Sequence, residues 1–491
     1  MKIKIQGVSD QLVIKEIKVL NQTFFGFSEL VEEGEDLVCT FLVTESHGLA
    51  SITVRMAGLE ETMSRTLGVE AVKELKYLQL GAYAKILESY TKTRQSWGLM
   101  NGMRPVKIVH SLKKKGWADQ DIRQFLQEEY LLSREKTDLL LQVAATQLQV
   151  VPDLYRLDRE VSLYIGIPFC PTRCAYCTFA AYALEPFKKW VAPFVAALLE
   201  EVSLLGAYLK ERQIPVTSIY LGGGTATALT ASQLKELIEA IETHITPLAK
   251  VREVTVEAGR PDTIDEEKLA LIKKFGIRRI SINPQSFIQE TLDRIGRHHS
   301  VEDVIDKYRL AKGMGIENIN MDLIVGLPGE GCEELGYSLE EMGKLQPESL
   351  TVHMLAFKRK SKLTQERGLY TTASKEELQE MGRMTYDFAA SHDYHPYYLY
   401  RQKNISGNME NIGYSKTGQE SIYNILMMEE AQNVLGLGVG ASSKYLMGTS
   451  VHNPRDIKTY IDRLEEYAEK KISLLGECLD QELKAFTKND N

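Results

Sequence analysis

The sequence predicts an α/β protein built on a partial (β/α)6 barrel of the TIM-like kind, with an α+β domain before it and a mostly helical lobe after it. Three observations carry this reading. After Val151-Pro152-Asp153, short β-rich runs alternate six times with helical stretches. Before that point, residues 1–60 alternate apolar and polar and then give way to helical spacing. From about Ser374 the pattern turns helical again. Strand and helix in repeated order imply a parallel sheet with right-handed crossovers. An open doubly wound sheet competes with the barrel at this level.

The first 150 residues read as a small domain. Leu37–Val43 and Ala50–Arg55 have strand alternation, which argues for short strands with the turn signal Gly34-Glu35-Asp36 between two of them. Apolar residues fall at helical spacing over about 69–93 and again over 118–147. No motif gives this domain a role. Its basic run Lys113-Lys114-Lys115 reads as a solvated helix end, with a docking surface for an electron donor as the alternative.

The barrel is expected over 155–370. Its six strand candidates are 162–167, 217–221, 252–257, 278–282, 318–324 and 349–354, with helices such as 187–211 and 231–244 between them. A barrel collects functional groups at its strand C-termini. Residues 371–491 follow as a lobe covering the barrel mouth. It holds a helix to His392, the tyrosine-rich His395-Pro396-Tyr397-Tyr398-Leu399-Tyr400, a glycine-rich Leu435–Gly440 and an amphipathic tail.

Composition excludes several classes. The chain has 491 residues, 59 Lys+Arg against 67 Asp+Glu, a net charge of −8, 44% hydrophobic and 26% charged residues. Collagen, disorder and coiled coil are excluded. The mild acidity gives no reason to expect a nucleic-acid partner. No run of about 18 apolar residues suggests a membrane span. The N-terminal Met-Lys-Ile-Lys-Ile-Gln-Gly has no apolar signal-peptide core, so a cytoplasmic location is expected.

Six cysteines decide more. Cys39, Cys332 and Cys478 are scattered, whereas Cys170, Cys174 and Cys177 sit on one short segment directly after the first barrel strand. A disulfide framework does not suit a chain this long without an export signal. Three thiolates on a tight loop can hold three irons of a [4Fe–4S] cube and leave the fourth open to a small molecule. Structural zinc, which wants four closed ligands, and plain buried cysteines are the alternatives.

The string Tyr164-Ile-Gly-Ile-Pro-Phe-Cys170-x3-Cys174-x-Tyr176-Cys177 resembles the radical S-adenosylmethionine (SAM) superfamily. The residues before the first cysteine narrow the resemblance to the oxygen-independent coproporphyrinogen III oxidase group. That group contains the dehydrogenase HemN, the heme chaperone HemW and the HemZ proteins, and the extended N-terminal domain looks most like the HemZ branch. The resemblance covers roughly 160–445 and implies a [4Fe–4S] cluster on the three loop cysteines, with SAM as the second cofactor.

It also implies a set of SAM contacts. Gly223, Gly224 and Thr225 match the family's glycine-rich turn after strand two, with Ala226 where the family has proline. Glu257 matches the glutamate ending strand three; the following Gly259-Arg260 departs from the family's Asn-Pro or Asp-Pro, which makes Arg260 a candidate substrate contact. Gln285, Arg297, Asp322 and Ala356 match strand-end positions, and Tyr164 and Tyr176 flank the cluster loop. An amide, a guanidinium and a carboxylate suit a ligand that carries a carboxylate, a ribose and an adenine edge.

Two departures bear on function. HemN has a further cysteine two positions after the third cluster cysteine, and Phe179 stands there. HemW has a His-Asn-x-x-Tyr-Trp heme-binding motif; the corresponding Gly407–Tyr414 has neither histidine nor tryptophan. The resemblance therefore implies an oxygen-independent coproporphyrinogen III dehydrogenase of heme biosynthesis. It would convert two propionates to vinyls through a 5′-deoxyadenosyl radical, giving protoporphyrinogen IX. A heme chaperone, or a radical SAM enzyme on another tetrapyrrole, remains the alternative. A flavodoxin- or ferredoxin-type electron donor is the implied partner. Arg260, Arg401, Lys403 and Lys416 are available for the substrate's carboxylates. Tyr397, Tyr398 and Tyr400 read first as packing, the commoner use of tyrosines on such a lobe, with the substrate's flat face as the alternative.

Overall fold

A computed structural model describes the chain except residues 27, 359–360, 367–369, 403–407 and 490–491, with side chains described as far as 481. It divides into two compact units, Met1–Ala144 and Ala145–Asn491.

The first unit is a five-stranded sheet with helices. Its strands are β1 (Lys2–Gln6), β2 (Glu29–Leu30), β3 (Leu37–Ser46), β4 (Leu49–Met56) and β5 (Leu59–Thr66), in the order β2-β1-β3-β4-β5. β3, β4 and β5 form an antiparallel meander, and β1 pairs in parallel with β2 and β3. Ile3, Ile17, Leu20, Phe41, Ile52, Val54, Tyr83 and Leu87 close the core between sheet and helices. Each such buried side chain contributes roughly 1.5–3 kcal/mol.

Two details differ from the sequence expectation. Gln11–Phe25, within the stretch read as alternating, is a helix capped by Asp10; Val13, Ile17, Leu20 and Asn21 supply its buried face at helical spacing. The stretch 118–147 is two helices, Asp119–Glu129 and Arg134–Val150, not one. Lys113 and Lys114 end the helix Val106–Lys114, where cations complement the helix dipole, and Lys113 pairs with Asp119.

The second unit holds an eleven-stranded sheet. The central strands are β6 (Val161–Ile167), β9 (Val216–Gly223), β10 (Glu253–Glu257), β11 (Arg279–Ser281), β12 (Asn318–Val325) and β13 (Ser349–Met354), all parallel. The short β7 (Phe169–Cys170) and β8 (Tyr182–Ala183) pair separately. The central strands follow one another in chain order without reversal. This unbroken run of six parallel strands with helices between them is the partial barrel, and its strands are buried on both faces, as a parallel sheet requires.

The chain after 371 supplies helices, Lys375–Ser391 and Leu464–Asn489 among them, and also extends the barrel sheet on both sides. β14 (His395–Tyr400) and β15 (Asn411–Ser415) add antiparallel beyond β13. β16 (Asn433–Gly438) adds in parallel to β6, and β17 (Ser442–Lys444) and β18 (Ser450–His452) follow. The glycine-rich run is thus a strand. A Cβ on Gly438, at φ +86°, would stand 2.2 Å from the Gly166 carbonyl oxygen, so only glycine lets β16 approach β6 there.

The helical stretch Leu184–Glu211 is long and apolar enough by composition to cross a membrane. It contains the helix Val191–Glu211, which packs against β16 and the C-terminal helix and buries Phe194, Leu198, Val202 and Leu205.

Candidate active site at the strand C-termini

The cysteine loop leaves β6 and is fixed from several sides. Phe169 is fully buried against Phe194. Thr172 Oγ1 donates to the Gly296 carbonyl at 2.9 Å, Ala175 N–H to Ile295 at 2.9 Å, and Leu363 N–H to Ala175 at 3.0 Å. The turn after β9 runs along the loop: Gly224 and Thr225 N–H donate to the Ile167 and Phe169 carbonyls, at 2.7 and 2.9 Å. A Cβ on Gly224 would meet Phe169 O at 2.4 Å and Cys170 Sγ at 3.0 Å. Bare backbone at Gly224 is what lets the second strand end lie on the first cysteine. Two of the turn's amides therefore serve the cysteine loop.

The three loop cysteines are free thiols that sense one another. Burial pushes Cys170 up to about 12, with Cys174 and Cys177 adding to the rise. Burial raises Cys177 as well, and Cys174 adds to it. Such thiols ionise when a bound cation compensates them. Among the described residues, no three His, Cys, Asp or Glu side chains are arranged to hold a single metal ion. A zinc site would need that convergence; a cube does not, since each thiolate takes its own iron.

The remaining strand ends gather beside the loop. Tyr164 on β6 stacks with Tyr220 on β9 (centroids 6.1 Å, 16°), and Tyr423 from the helix Ile422–Glu429 stacks on Tyr220 at 4.8 Å. The buried Tyr423 hydroxyl has no hydrogen-bond partner. Glu257 is half-buried under this stack, 3.4 Å from the Tyr220 hydroxyl. Burial and then the neighbouring Asp322 raise its carboxyl to about 8.

Asp322 on β12 is held by Asn320 Nδ2 at 2.7 Å and faces His353 Nε2 at 3.6 Å. His353 Nδ1 lies 3.0 Å from the Tyr400 hydroxyl. Gln285 adopts φ +70°, a conformation L-residues rarely take, because its N–H bonds Asp322 O and its carbonyl bonds Ile324 N, both at 2.9 Å. Its buried Oε1 has no partner. Arg297 is 3% exposed; Nη2 holds the Gly259 and Asn283 carbonyls and Nη1 reaches Tyr176 OH at 3.4 Å, while Nε is unpartnered. Ala356 follows β13, half-buried. The structure thus brings every expected strand-end residue to one end of the barrel.

Other expectations are corrected by the geometry. Arg260 faces the cysteine loop and Asp262 with all its nitrogens occupied, so it is not a substrate contact. Lys416 follows β15 beside Glu348 at the start of β13, the opposite end of the barrel. Tyr397 is fully buried among Val151, Leu157 and Ile425, as core. Tyr398 is buried and donates to Thr351 at 3.3 Å. Of the three tyrosines only Tyr400 is at the site. Arg401 bonds Asn408. Lys403 and Gly407 lie outside the described residues.

Sequence reasoning missed Tyr220, His353 and Tyr423. Period-two alternation places Tyr220 on the face of Gly222, and His353 on that of Thr351, which signals both. Tyr423 comes from a distant helix, and nothing local marks it.

Residues 164–342 match the radical SAM superfamily model. The chain is 44% identical over 499 aligned positions to the oxygen-independent coproporphyrinogen-III oxidase-like protein HemZ of Bacillus subtilis, covering 99% of this chain and all of that one. The chain belongs to the radical SAM superfamily, in its coproporphyrinogen-III oxidase-like group. It is also 32% identical to the heme chaperone HemW of Bacillus subtilis, over 62% of this chain and 76% of the relative. The solved structure of HemN from Escherichia coli shares the fold at TM-score 0.52, with 22% identity, over 66% of this chain and 73% of that one. This radical SAM protein therefore has a [4Fe–4S] cluster and SAM as its cofactors. The unpartnered Gln285 Oε1, Arg297 Nε and Tyr423 OH, and the loop thiols beside Gly224, fit these groups.

Proposed function

We propose that this radical SAM protein is an oxygen-independent coproporphyrinogen III dehydrogenase, oxidatively decarboxylating two propionates to vinyls. The observation that carries the reading is the completeness of the strand-end set around the cysteine loop. That set supports SAM chemistry, and the lack of the chaperone's histidine and tryptophan in Gly407–Tyr414 favours turnover over heme carriage. The matched name of the full-length relative supplies the substrate class.

Cys170, Cys174 and Cys177 would hold the cluster, and SAM would bind beside them at the strand ends. When bound, the two cofactors supply a primary carbon radical able to take hydrogen from an unactivated propionate C–H, which acid–base groups at neutral pH cannot do. The chain's own residues hold and aim. Gln285, Arg297 and Asp322 present an amide, a guanidinium and a carboxylate to SAM, with Tyr164, Tyr176, Gly223, Gly224, Thr225 and Ala356 completing its walls. Asp322, joined by Glu257 when a cationic ligand favours its ionised form, supplies negative charge that suits a sulfonium cation. The stacked Tyr164, Tyr220 and Tyr423 exclude water from the radical path. A flavodoxin- or ferredoxin-type protein delivers the electron.

The segment that corresponds to the chaperone's heme motif supports the enzyme reading. Asn411–Ser415 is the buried strand β15, and the Asn411 side chain bonds Met354 N and Tyr400 O at 2.8 and 3.2 Å. The test is anaerobic incubation of reconstituted protein with SAM, reductant, an electron acceptor and coproporphyrinogen III. Protoporphyrinogen IX by mass spectrometry is expected. Stoichiometric heme binding with no decarboxylated product under any acceptor would overturn the reading in favour of a carrier.

A further inference from the structure

Arg260 stands where the chain departs from its family's pattern, and its surroundings give it a job. It is 2% exposed and follows β10, just before the single turn Pro261–Thr263. Nε and Nη2 take the two oxygens of Asp262, at 3.1 and 2.9 Å. That bidentate pair fixes the plane of the guanidinium. Nη1 then points away from Asp262 into the cysteine loop. It lies 3.1 Å from the Thr172 carbonyl, 3.0 Å from Thr172 Oγ1 and 4.0 Å from Cys174 Sγ. The backbone beneath is pinned by Arg297, which holds the Gly259 carbonyl at 2.8 Å.

We infer that Arg260 is a cluster-tuning residue: a buried, carboxylate-oriented guanidinium that directs an N–H to the Cys174 thiolate and raises the cluster's reduction potential. An N–H aimed at a ligand sulfur stabilises the reduced cluster, with its extra negative charge, more than the oxidised one. Asp262 opposes this, because it neutralises the guanidinium. The pair therefore sets the potential by the difference between a close donor and a slightly more distant compensating charge. A cluster that must be reduced by a physiological donor gains from the first; one that must then pass its electron on gains from the second. The inference rests on the family's cluster and not on the tetrapyrrole substrate.

The two members of the pair should shift the potential in opposite directions, which a merely structural role would not produce. Reconstituted wild-type, Arg260→Gln and Asp262→Asn proteins are titrated anaerobically without tetrapyrrole, with the reduced cluster read by electron paramagnetic resonance. Arg260→Gln should lower the midpoint by about 59 mV, a tenfold smaller reduced-to-oxidised ratio at fixed potential for a one-electron couple. Asp262→Asn should raise it. Should Arg260→Gln fail to hold four irons, Arg260→Lys replaces it, with a smaller fall expected because the charge is kept and the fork is lost. Unchanged midpoints, or shifts of the same sign in the arginine and aspartate variants, would overturn the inference. Failure of both arginine variants to assemble a cluster would overturn it in favour of a purely loop-bracing role. Because no substrate is present, a negative turnover assay leaves this result untouched, and the reverse holds as well.

Discussion

Asp322 and His353 face each other from neighbouring barrel strands, Oδ2 to Nε2 3.6 Å apart. Asn320 holds the other carboxylate oxygen from the same strand, and Tyr400 holds the far side of the imidazole. The carboxylate is thus oriented before any ligand arrives, beside a strained Gln285 whose backbone it also anchors. That is the arrangement expected of a group that positions a cofactor, since an oriented acceptor loses little freedom when the ligand binds.

Replacing Asp322 by Asn keeps the shape and removes the charge. A hydrogen bond to a charged group is worth about 1.5–3 kcal/mol, so SAM affinity should fall by roughly ten- to a hundredfold. Iron content should equal wild type. Calorimetric titration with SAM beside an iron assay checks both; equal affinity would show that Asp322 faces elsewhere.

Glu257 makes SAM binding depend on pH. Its carboxyl titrates at about 8 because burial and Asp322 oppose the charge. It is therefore protonated at neutral pH, and a cationic ligand favours the ionised form. Affinity should rise as pH increases from about 6 towards 8, with a proton released on binding, and level off above. Glu257→Gln should flatten the curve. The same shift lowers stability of the SAM-free protein as pH climbs from the ordinary carboxyl value of 4.5 towards 8, because the folded state binds the proton more tightly.

Gly224→Ala should cost the cluster. The added methyl would sit 2.4 Å from Phe169 O and 3.0 Å from Cys170 Sγ, so the loop must move. Reconstituted protein should lose most of its iron–sulfur absorbance, as should Ala variants of Cys170, Cys174 or Cys177. Gly313→Ala, which meets nothing within 4 Å, should keep it. Full absorbance in Gly224→Ala would show that the loop can yield.

Lys471→Met tests the core that carries β16. Lys471 and Glu201 are fully buried; the amine also holds Gly436 O at 2.9 Å, and the carboxylate accepts from Gly438 N and Tyr460 OH at 2.7 and 2.6 Å. Removing one member strands the other charge, at a cost of about 3–5 kcal/mol. Denaturant unfolding should show this loss; Glu201→Leu added to it should recover only part, because Gly438 N, Tyr460 OH and Asn453 Nδ2 all lose the carboxylate as acceptor.

The barrel was legible because parallel strands buried on both faces leave apolar runs whose ends carry the chemistry. Glu257, Gln285 and Asp322 were singled out by the family resemblance of their motifs, with their places at strand ends as support. Gln11–Phe25 was misread because its polar residues break up a short apolar face. β14 to β18 were hidden because tyrosine-rich and glycine-rich strands follow neither pattern; what makes them strands is a partner far away in the chain. Arg260 was seen as a departure but given the wrong neighbour, since only the folded loop brings Thr172 and Cys174 to it.

The most direct test of the central claim follows one hydrogen. Coproporphyrinogen III carrying deuterium at the propionate β-carbons is incubated anaerobically with the reconstituted protein, SAM, reductant and acceptor. The account predicts deuterium in the 5′-deoxyadenosine formed, one CO2 for each, and vinyl groups in the product. Unlabelled 5′-deoxyadenosine, formed while the propionates stay intact, would contradict it.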